Sequence, residues 1–472
     1  VITDIVHRTY QQSEQTSRAY RLLLKFFSSS VHDITPRIPV SRPFPAGITA
    51  MAAILLAAGS YALASPAFTL GSTSGRAPAC QPRTLNTSAA RAGGSVTVTP
   101  APNSMDASSR SQVSMLGVPP SELSDVSVVG SRSGRHAGHL AAYSQGDGAS
   151  FLPDSPFAQG ELVSVRAVLQ RGHSSTPFAW HFTVAYLDSV SRSLETPPPP
   201  APRPKRSEFQ RFISAPELRP PTVTVTTDTG MQGTGDLLLA PYAGTGQYGP
   251  MILDRDGRLI WFKPLPPGAR AADVRLQQYE GAPVITWWQD PLVAAGRSDA
   301  GLVIDSTAYR TIMIARAGNG YQPDLHAFEI TPAGTALFTV YDAIRCDLTA
   351  EHGPAEGAIA DTLFQEIDLR TGLVRYEWHS LDHLSLSDSY QPVGSGGTAR
   401  SPWDDFHINA VSEHGSHFLV DSRNNWAAYW VDARTGQVAW ILGGKRSTFT
   451  MGPGASPAFQ HDVRLDPGGT IS

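Results

Sequence analysis

A hairpin that recurs in nearly the same letters narrows what this 472-residue chain can become. Asp368-Leu369-Arg370-Thr371-Gly372-Leu373-Val374 returns as Asp432-Ala433-Arg434-Thr435-Gly436-Gln437-Val438, and a tryptophan follows each copy, Trp378 and Trp440. Asp254-Arg255-Asp256-Gly257-Arg258-Leu259-Ile260-Trp261 is a looser version. In a tight D-x-x-(T)-G turn the glycine supplies the positive φ that reverses the chain, so each copy predicts an antiparallel hairpin. A second pattern alternates with the first. His326-Ala327-Phe328-Glu329-Ile330 leads to Gly334, His407-Ile408-Asn409-Ala410-Val411 to Gly415, and His461-Asp462-Val463-Arg464-Leu465 to Gly469. The glycine stands eight residues after the histidine each time. Two alternating hairpins make a four-stranded blade, and repeated blades make a propeller.

The last two histidines are 54 residues apart and the first two 81, which leaves room for insertions at 344–357 and 381–402. The pattern stops as a strand begins after Gly468-Gly469. An unclosed ring exposes strand edges, so the sequence reads as C-terminally incomplete, part of a ring with six blades when whole. The expected fold is all-β, with a multi-bladed propeller over 222–472. Upstream, Ser95–Thr99, Asp125–Val129 and Glu161–Ala167 alternate apolar and polar residues as half-buried strands do, which predicts a β-sandwich over 94–186. His136 and His139 in that region have no evident partners and are expected at the surface.

Between the two regions, the run from Pro197 to Pro204 predicts a stiff spacer within a linker at 187–221. At the other end, Arg37 and Arg42 precede an apolar stretch at 48–64 that closes on Ala62-Leu63-Ala64. That is the layout of a signal peptide or short anchor within a 1–64 leader, followed by a linker at 65–93, and it predicts export to the extracellular space or the cell surface. The formal charge of −4 offers no basic field for nucleic acid. Cys80 and Cys346, the two cysteines, cannot build a cysteine-based zinc site, and whether they pair is open at this level.

First strands of propeller blades line the central channel, so histidine repeated at that position gathers several imidazoles in one volume. Imidazole can accept a group covalently, move a proton near neutral pH, or bind a metal. Arg423, in Asp421-Ser422-Arg423-Asn424-Asn425-Trp426, adds a guanidinium fork suited to a tetrahedral oxyanion. Lys445-Arg446 reads as a solvated turn.

Asp405-Phe406-His407-Ile408-Asn409-Ala410-Val411, Ser422-Arg423-Asn424-Asn425-Trp426, Trp440-Ile441-Leu442-Gly443-Gly444-Lys445-Arg446 and Phe459-Gln460-His461-Asp462, in this order, resemble the arylsulfotransferase family in its two-domain form. The resemblance implies transfer of a sulfuryl group from a phenolic sulfate ester to a phenol through a sulfohistidine, with no cofactor and no metal. It further implies His461 as nucleophile, His407 and Arg423 as holders of the sulfuryl oxygens, and His326 completing the pocket. Small phenols and aryl sulfates are then the partners, and the oligomeric state is not legible. A non-catalytic binding propeller for carbohydrate or protein is the alternative. A quinone- or metal-dependent oxidoreductase would need a calcium-type acidic cluster in the channel, and no D-x-D-x-D-G run occurs. A metal held by the three histidines is a further possibility.

Overall fold

The computed structural model describes residues 77–187, 208–227, 235–242, 245–294 and 297–472. The leader at 48–64 and the proline run at 197–204 lie outside the described residues. The described residues are all-β, and their strands fall into six separate sheets.

The first two sheets come from residues 90–183. One takes the order β1-β2-β3-β7-β6, from β1 (Ala90–Arg91), β2 (Val96–Thr99), β3 (Val113–Leu116), β6 (Gly138–Ala142) and β7 (Gly148–Pro153). The other takes the order β5-β4-β8-β9, from β4 (Leu123–Gly130), β5 (Gly134–Arg135), β8 (Leu162–Arg171) and β9 (Ser174–Thr183). The period-2 pattern in the sequence is what makes these strands two-faced. Along β8, Val163, Val165, Ala167 and Leu169 are buried in one cluster with Val96, Met115 and Phe151 of the other sheet, while Leu162, Ser164 and Arg166 alternate to solvent. His136 departs from its expected surface position. It is buried, its Nε2 is 2.7 Å from the Ser133 hydroxyl, and its ring meets Phe157 edge-on. His139 is exposed.

The remaining sheets are antiparallel meanders in chain order. β10 (Leu237–Leu239), β11 (Met251–Leu253) and β12 (Leu259–Phe262) form a three-stranded one. Three four-stranded sheets follow. They are β13 (Arg270–Tyr279) to β14 (Ala282–Ala294), β15 (Arg297–Ser306) and β16 (Thr311–Ala315); then β17 (Pro323–Ile330), β18 (Thr335–Cys346), β19 (Gly357–Asp368) and β20 (Val374–His379); then β21 (Ile408–His414), β22 (His417–Ser422), β23 (Ala427–Asp432) and β24 (Val438–Gly443). The first strands neighbour one another, β13 beside β17 and β17 beside β21.

Both repeated turns form as the sequence requires. Gly372 and Gly436 have φ of +73° and +71°, and the Asp368 and Asp432 carboxylates collect the Thr371 and Thr435 hydroxyls at 2.6 and 2.8 Å. The glycines eight residues after each histidine, Gly334, Gly415 and Gly469, also have positive φ. The two tryptophans that follow the turns fare differently. Trp378 is fully buried, stacked on Phe364 and donating to Gly436 O at 3.0 Å, whereas Trp440 is half-buried and stacks on Trp430.

The expected insertion at 344–357 is mostly the connection between two long strands: β18 and β19 pair without a break from Thr335↔Asp368 to Cys346↔Gly357, and 347–356 links them through a 3-10 turn at Thr349–Glu351. Residues 381–402 are less regular and open with a short helix, Ser380–His383. Nor are residues 77–93 a loose tether. Cys80 forms a disulfide with Cys346, Asn86 N–H donates to Asp382 O at 2.8 Å, and Ala89 N–H donates to Thr435 O at 2.7 Å. The two-sheet region is also fastened to β20: Ser150 Oγ and Tyr143 Oη donate to Val374 O at 2.9 and 3.0 Å. The buried Arg375 guanidinium spans Glu366 and Asp147, at 3.0 and 2.9 Å. No helix among the described residues is long and apolar enough to cross a membrane.

Candidate functional site

His326 lies within β17, His407 immediately before β21, and His461 in a segment without regular strand beyond β24. The fold brings all three together: the ring centroids are 5.1 Å apart for His326–His407, 5.6 Å for His407–His461 and 5.8 Å for His326–His461. Each of the first strands carries a register shift here, between Pro323 and Phe328 against β18 and between Ile408 and Ala410 against β22. A bulge re-aims the side chain at that point instead of letting it alternate. His407, Phe459 and Asp462 have φ of +55°, +56° and +58°, a left-handed backbone that is costly for residues other than glycine. Strain of this kind persists where surrounding bonds impose it. Here Asn409 imposes it, donating through Nδ2 to Gln460 O at 3.2 Å and accepting from Asp462 N–H at 3.0 Å, so both flanks of His461 are held. Gln460 itself donates to Asp421 Oδ1 and Ser422 O at 2.7 and 2.8 Å.

The imidazoles are not equivalent. His326 Nδ1 is 2.6 Å from Asp324 Oδ2, and His407 Nδ1 is 2.5 Å from Asp404 Oδ2. A carboxylate on Nδ1 fixes the tautomer and stabilises the imidazolium. Burial works to raise the Asp324 carboxyl, but the His326 charge and hydrogen bonds outweigh it and hold it below the usual aspartate range. His461 Nδ1 instead donates to a backbone carbonyl, Phe459 O, at 3.1 Å. Partial burial, opposed by that bond and reinforced by His326, His407 and Arg423, keeps His461 below the ordinary histidine value. A neutral imidazole with its proton on Nδ1 carries its lone pair on Nε2.

Arg423 belongs to the same site. Its guanidinium carbon sits 4.7 Å over the Phe459 ring, and Nη1 donates to Asn424 Oδ1 at 2.7 Å. Tyr341 walls the pocket, its ring 5.9 Å from His326 and 5.7 Å from His407, with its hydroxyl donating to Ile408 O at 2.6 Å. The three histidines offer ligand atoms within 4.8 Å of one another, so they are also the residues here that could take a single metal ion. Lys445 and Arg446 sit in an exposed turn, as expected, and from there they hold a neighbouring segment. Lys445 Nζ donates to Ser387 O and Ser389 O at 2.9 and 2.6 Å, and Arg446 pairs with Asp388 at 3.0 Å, which ties down the 387–389 segment.

Several members of the site escape a reading by motif. Asp324 and Asp404 are acidic residues two and three positions before their histidines. Asp273 is the more instructive. It stands eight residues before Gly281, whose φ is +77°, so it occupies the histidine position of the preceding sheet. There it accepts from Phe328 N–H at 2.7 Å and pairs with Arg275 at 2.5 Å, joining β13 to β17. The glycine spacing alone marks it.

Residues 275–472 match the family model described as Arylsulfotransferase (ASST), so the family resemblance carried by the motifs holds over this part of the chain. No curated protein matches. Among solved structures, a protein of unknown function from Bacteroides caccae aligns with 14% identity and a TM-score of 0.28, covering 50% of this chain and 64% of its own. The alignment thus spans less than two thirds of that protein's length.

Proposed function

We propose that this chain transfers a sulfuryl group from an aryl sulfate to a phenol, with His461 as the residue that carries the group between them. The observation that supports this most is the asymmetry of the three imidazoles: two have Nδ1 on a carboxylate, and the third has Nδ1 on a carbonyl. Carboxylate-paired rings are suited to being cations and the carbonyl-paired ring to being a neutral nucleophile. His461 Nε2 gives its lone pair to sulfur, and the S–O bond to the aryl group breaks. The departing phenolate takes that electron pair and a proton from the His326 imidazolium. An acceptor phenol then returns a proton to His326 as its oxygen attacks sulfur, and the N–S electron pair goes back to His461. His407 and Arg423 face the charge that builds on the sulfuryl oxygens, where fixed donors act most strongly.

In this reading the four- and three-stranded meanders are blades of a propeller whose channel mouth holds the site, and the two N-terminal sheets form a β-sandwich docked against it. The Cys80–Cys346 disulfide is consistent with export to an oxidising compartment. The test uses 4-nitrophenyl sulfate as donor with excess phenol. Release of nitrophenolate that requires the phenol, and that disappears in His461→Ala, is the expected result. A folded protein that releases none across a panel of donors and acceptors would overturn the proposal and leave the scaffold as a binding module.

A further inference from the structure

An exposed phenylalanine by itself means little, since much of any folded surface is apolar. Phe459 is different because it is held. It is 47% exposed, yet its φ of +56° is a left-handed backbone that a side chain of this size adopts only under restraint. The Arg423 guanidinium lies 4.7 Å over its ring, and the Trp426 ring meets it edge-on at 5.1 Å. Its carbonyl accepts from His461 Nδ1 at 3.1 Å. One residue thus touches His461 through its backbone and Arg423 through its side chain.

The support behind that ring is stiff. Trp426 stacks on Tyr390 with centroids 3.9 Å apart and planes 9° from parallel. Lys445 Nζ lies 4.8 Å over the Tyr390 ring, and Ser387 O and Ser389 O hold the same ammonium. A ring fixed from behind loses little freedom when another ring meets it, so the contact is not offset by the cost of ordering. Arg423 draws an anion to this place, and Phe459 offers the group next to that anion an exposed aromatic surface. An aryl sulfate has the matching shape, an anionic group joined to an aromatic ring through one oxygen. An alkyl sulfate supplies the anion without the ring.

We propose that Phe459 binds the aryl group of the substrate and thereby makes the site select aryl over alkyl sulfates. This rests on the sulfuryl-transfer reading above and adds to it a contact that determines specificity. With the sulfuryl oxygens on His407 and Arg423, the ester oxygen leads the aromatic ring out past Arg423, where Phe459 stands. A pair of aromatic rings gains more than the burial of equal apolar area, because their quadrupoles attract. The contact is the same in the bound substrate and in the transition state, so it acts on KM and leaves kcat alone. The bond to His461 runs through the backbone carbonyl and does not depend on the Phe459 side chain.

The experiment pairs binding with kinetics on the full chain with its disulfide intact. The binding probes are 2-naphthalenesulfonate, whose carbon–sulfur bond cannot be transferred, and hexane-1-sulfonate, each titrated by calorimetry. Phe459→Leu keeps an apolar side chain and removes the ring, and Phe459→Tyr restores the ring. The expected result is that Phe459→Leu weakens 2-naphthalenesulfonate by about tenfold, leaves hexane-1-sulfonate unchanged, and raises KM for 4-nitrophenyl sulfate by about tenfold at constant kcat. Phe459→Tyr should recover the wild-type values, and the acid limb of kcat/KM should stay in place in both variants. The binding arm needs no turnover: a chain that transfers nothing but loses 2-naphthalenesulfonate in Phe459→Leu still has the aryl contact, and only the transfer reading fails. The proposal is overturned if 2-naphthalenesulfonate does not bind, or if it binds wild type and Phe459→Leu alike. It is equally overturned if hexane-1-sulfonate weakens to the same extent, or if the acid limb moves, since the side chain then acts as bulk or through His461.

Discussion

Glu161, just before β8 in the N-terminal sheets, and His461, beyond the last meander sheet, show two uses of a polar side chain. Glu161 is fully buried and accepts four hydrogen bonds: Arg132 N–H and Ser133 N–H at 2.9 Å on one oxygen, the Ser133 hydroxyl and Ala158 N–H at 2.6 Å on the other. Burial pulls its carboxyl upward, but those bonds, led by the Ser133 hydroxyl, win and hold it down to about 2. It has no capacity left for chemistry. His461 has one nitrogen on a carbonyl, a partly exposed ring, a flanking left-handed backbone, and His326, His407 and Arg423 beside it. The difference teaches that saturation marks a group that holds structure, and incomplete saturation under external restraint marks one kept for a substrate.

Four substitutions break or sharpen this contrast. The largest effect belongs to His461→Ala, expected to lower nitrophenolate release by about 10⁴-fold or more with an unchanged unfolding midpoint, because the covalent route disappears. Next is Arg423→Gln, expected to cost about 10²–10³ in kcat. It also carries a pH signature. The reactive form of His461 is neutral and its pKa lies below 6.5, so kcat/KM should persist below pH 6.5 and fall only as His461 takes a proton. Removing the Arg423 charge should move that acid limb upward, toward 6.5. An unmoved limb would show that Arg423 does not bear on His461.

Asn409→Ala comes third, with a fall of about tenfold in kcat and little change in KM, since it loosens the flanks of His461 without touching substrate. The fourth, Glu161→Gln, is the opposite pole, with no change in turnover per folded molecule but a loss of about 2–3 kcal/mol in urea unfolding at pH 7. The sign of its pH dependence follows from the depressed pKa. The wild-type contribution is fully present above about 4.5, the unfolded value, and is lost as pH falls through about 2. The stability gap between wild type and Glu161→Gln should therefore close in acid. A gap that widens in acid would remove Glu161 from the saturated class.

Much of this architecture is legible in the sequence. The glycine of the D-x-x-T-G turn and the glycine eight residues after each histidine are local demands on φ, and local demands survive folding, so the hairpins, the meander order and the repeated histidine position could be read from letters. The strands of the two-sheet region were legible for the same reason, since their period of two is a property of consecutive residues. His136 went unread as a buried residue because its partners, Ser133, Ser155 and Phe157, lie across a turn and a strand. The contacts that Lys445 and Arg446 make from their exposed turn went unread because the Ser387 and Ser389 carbonyls and the Asp388 carboxylate are nearly sixty residues away in sequence.

The sequence by itself determined an all-β chain of repeated hairpins, the four residues His326, His407, Arg423 and His461, and the chemistry those residue types can perform. Only the tertiary structure decided which imidazole faces a carboxylate and which a carbonyl, that Cys80 meets Cys346, that Asp273 takes a histidine's place, and that the Asp106, Asp361 and Glu377 carboxylates converge on the buried His379. The reason is one of range. Backbone conformation and strand alternation are set over a few residues, whereas a protonation state is set by whatever charges and donors arrive within a few ångströms, and here those come from segments as far apart as Asp106 and Asp361.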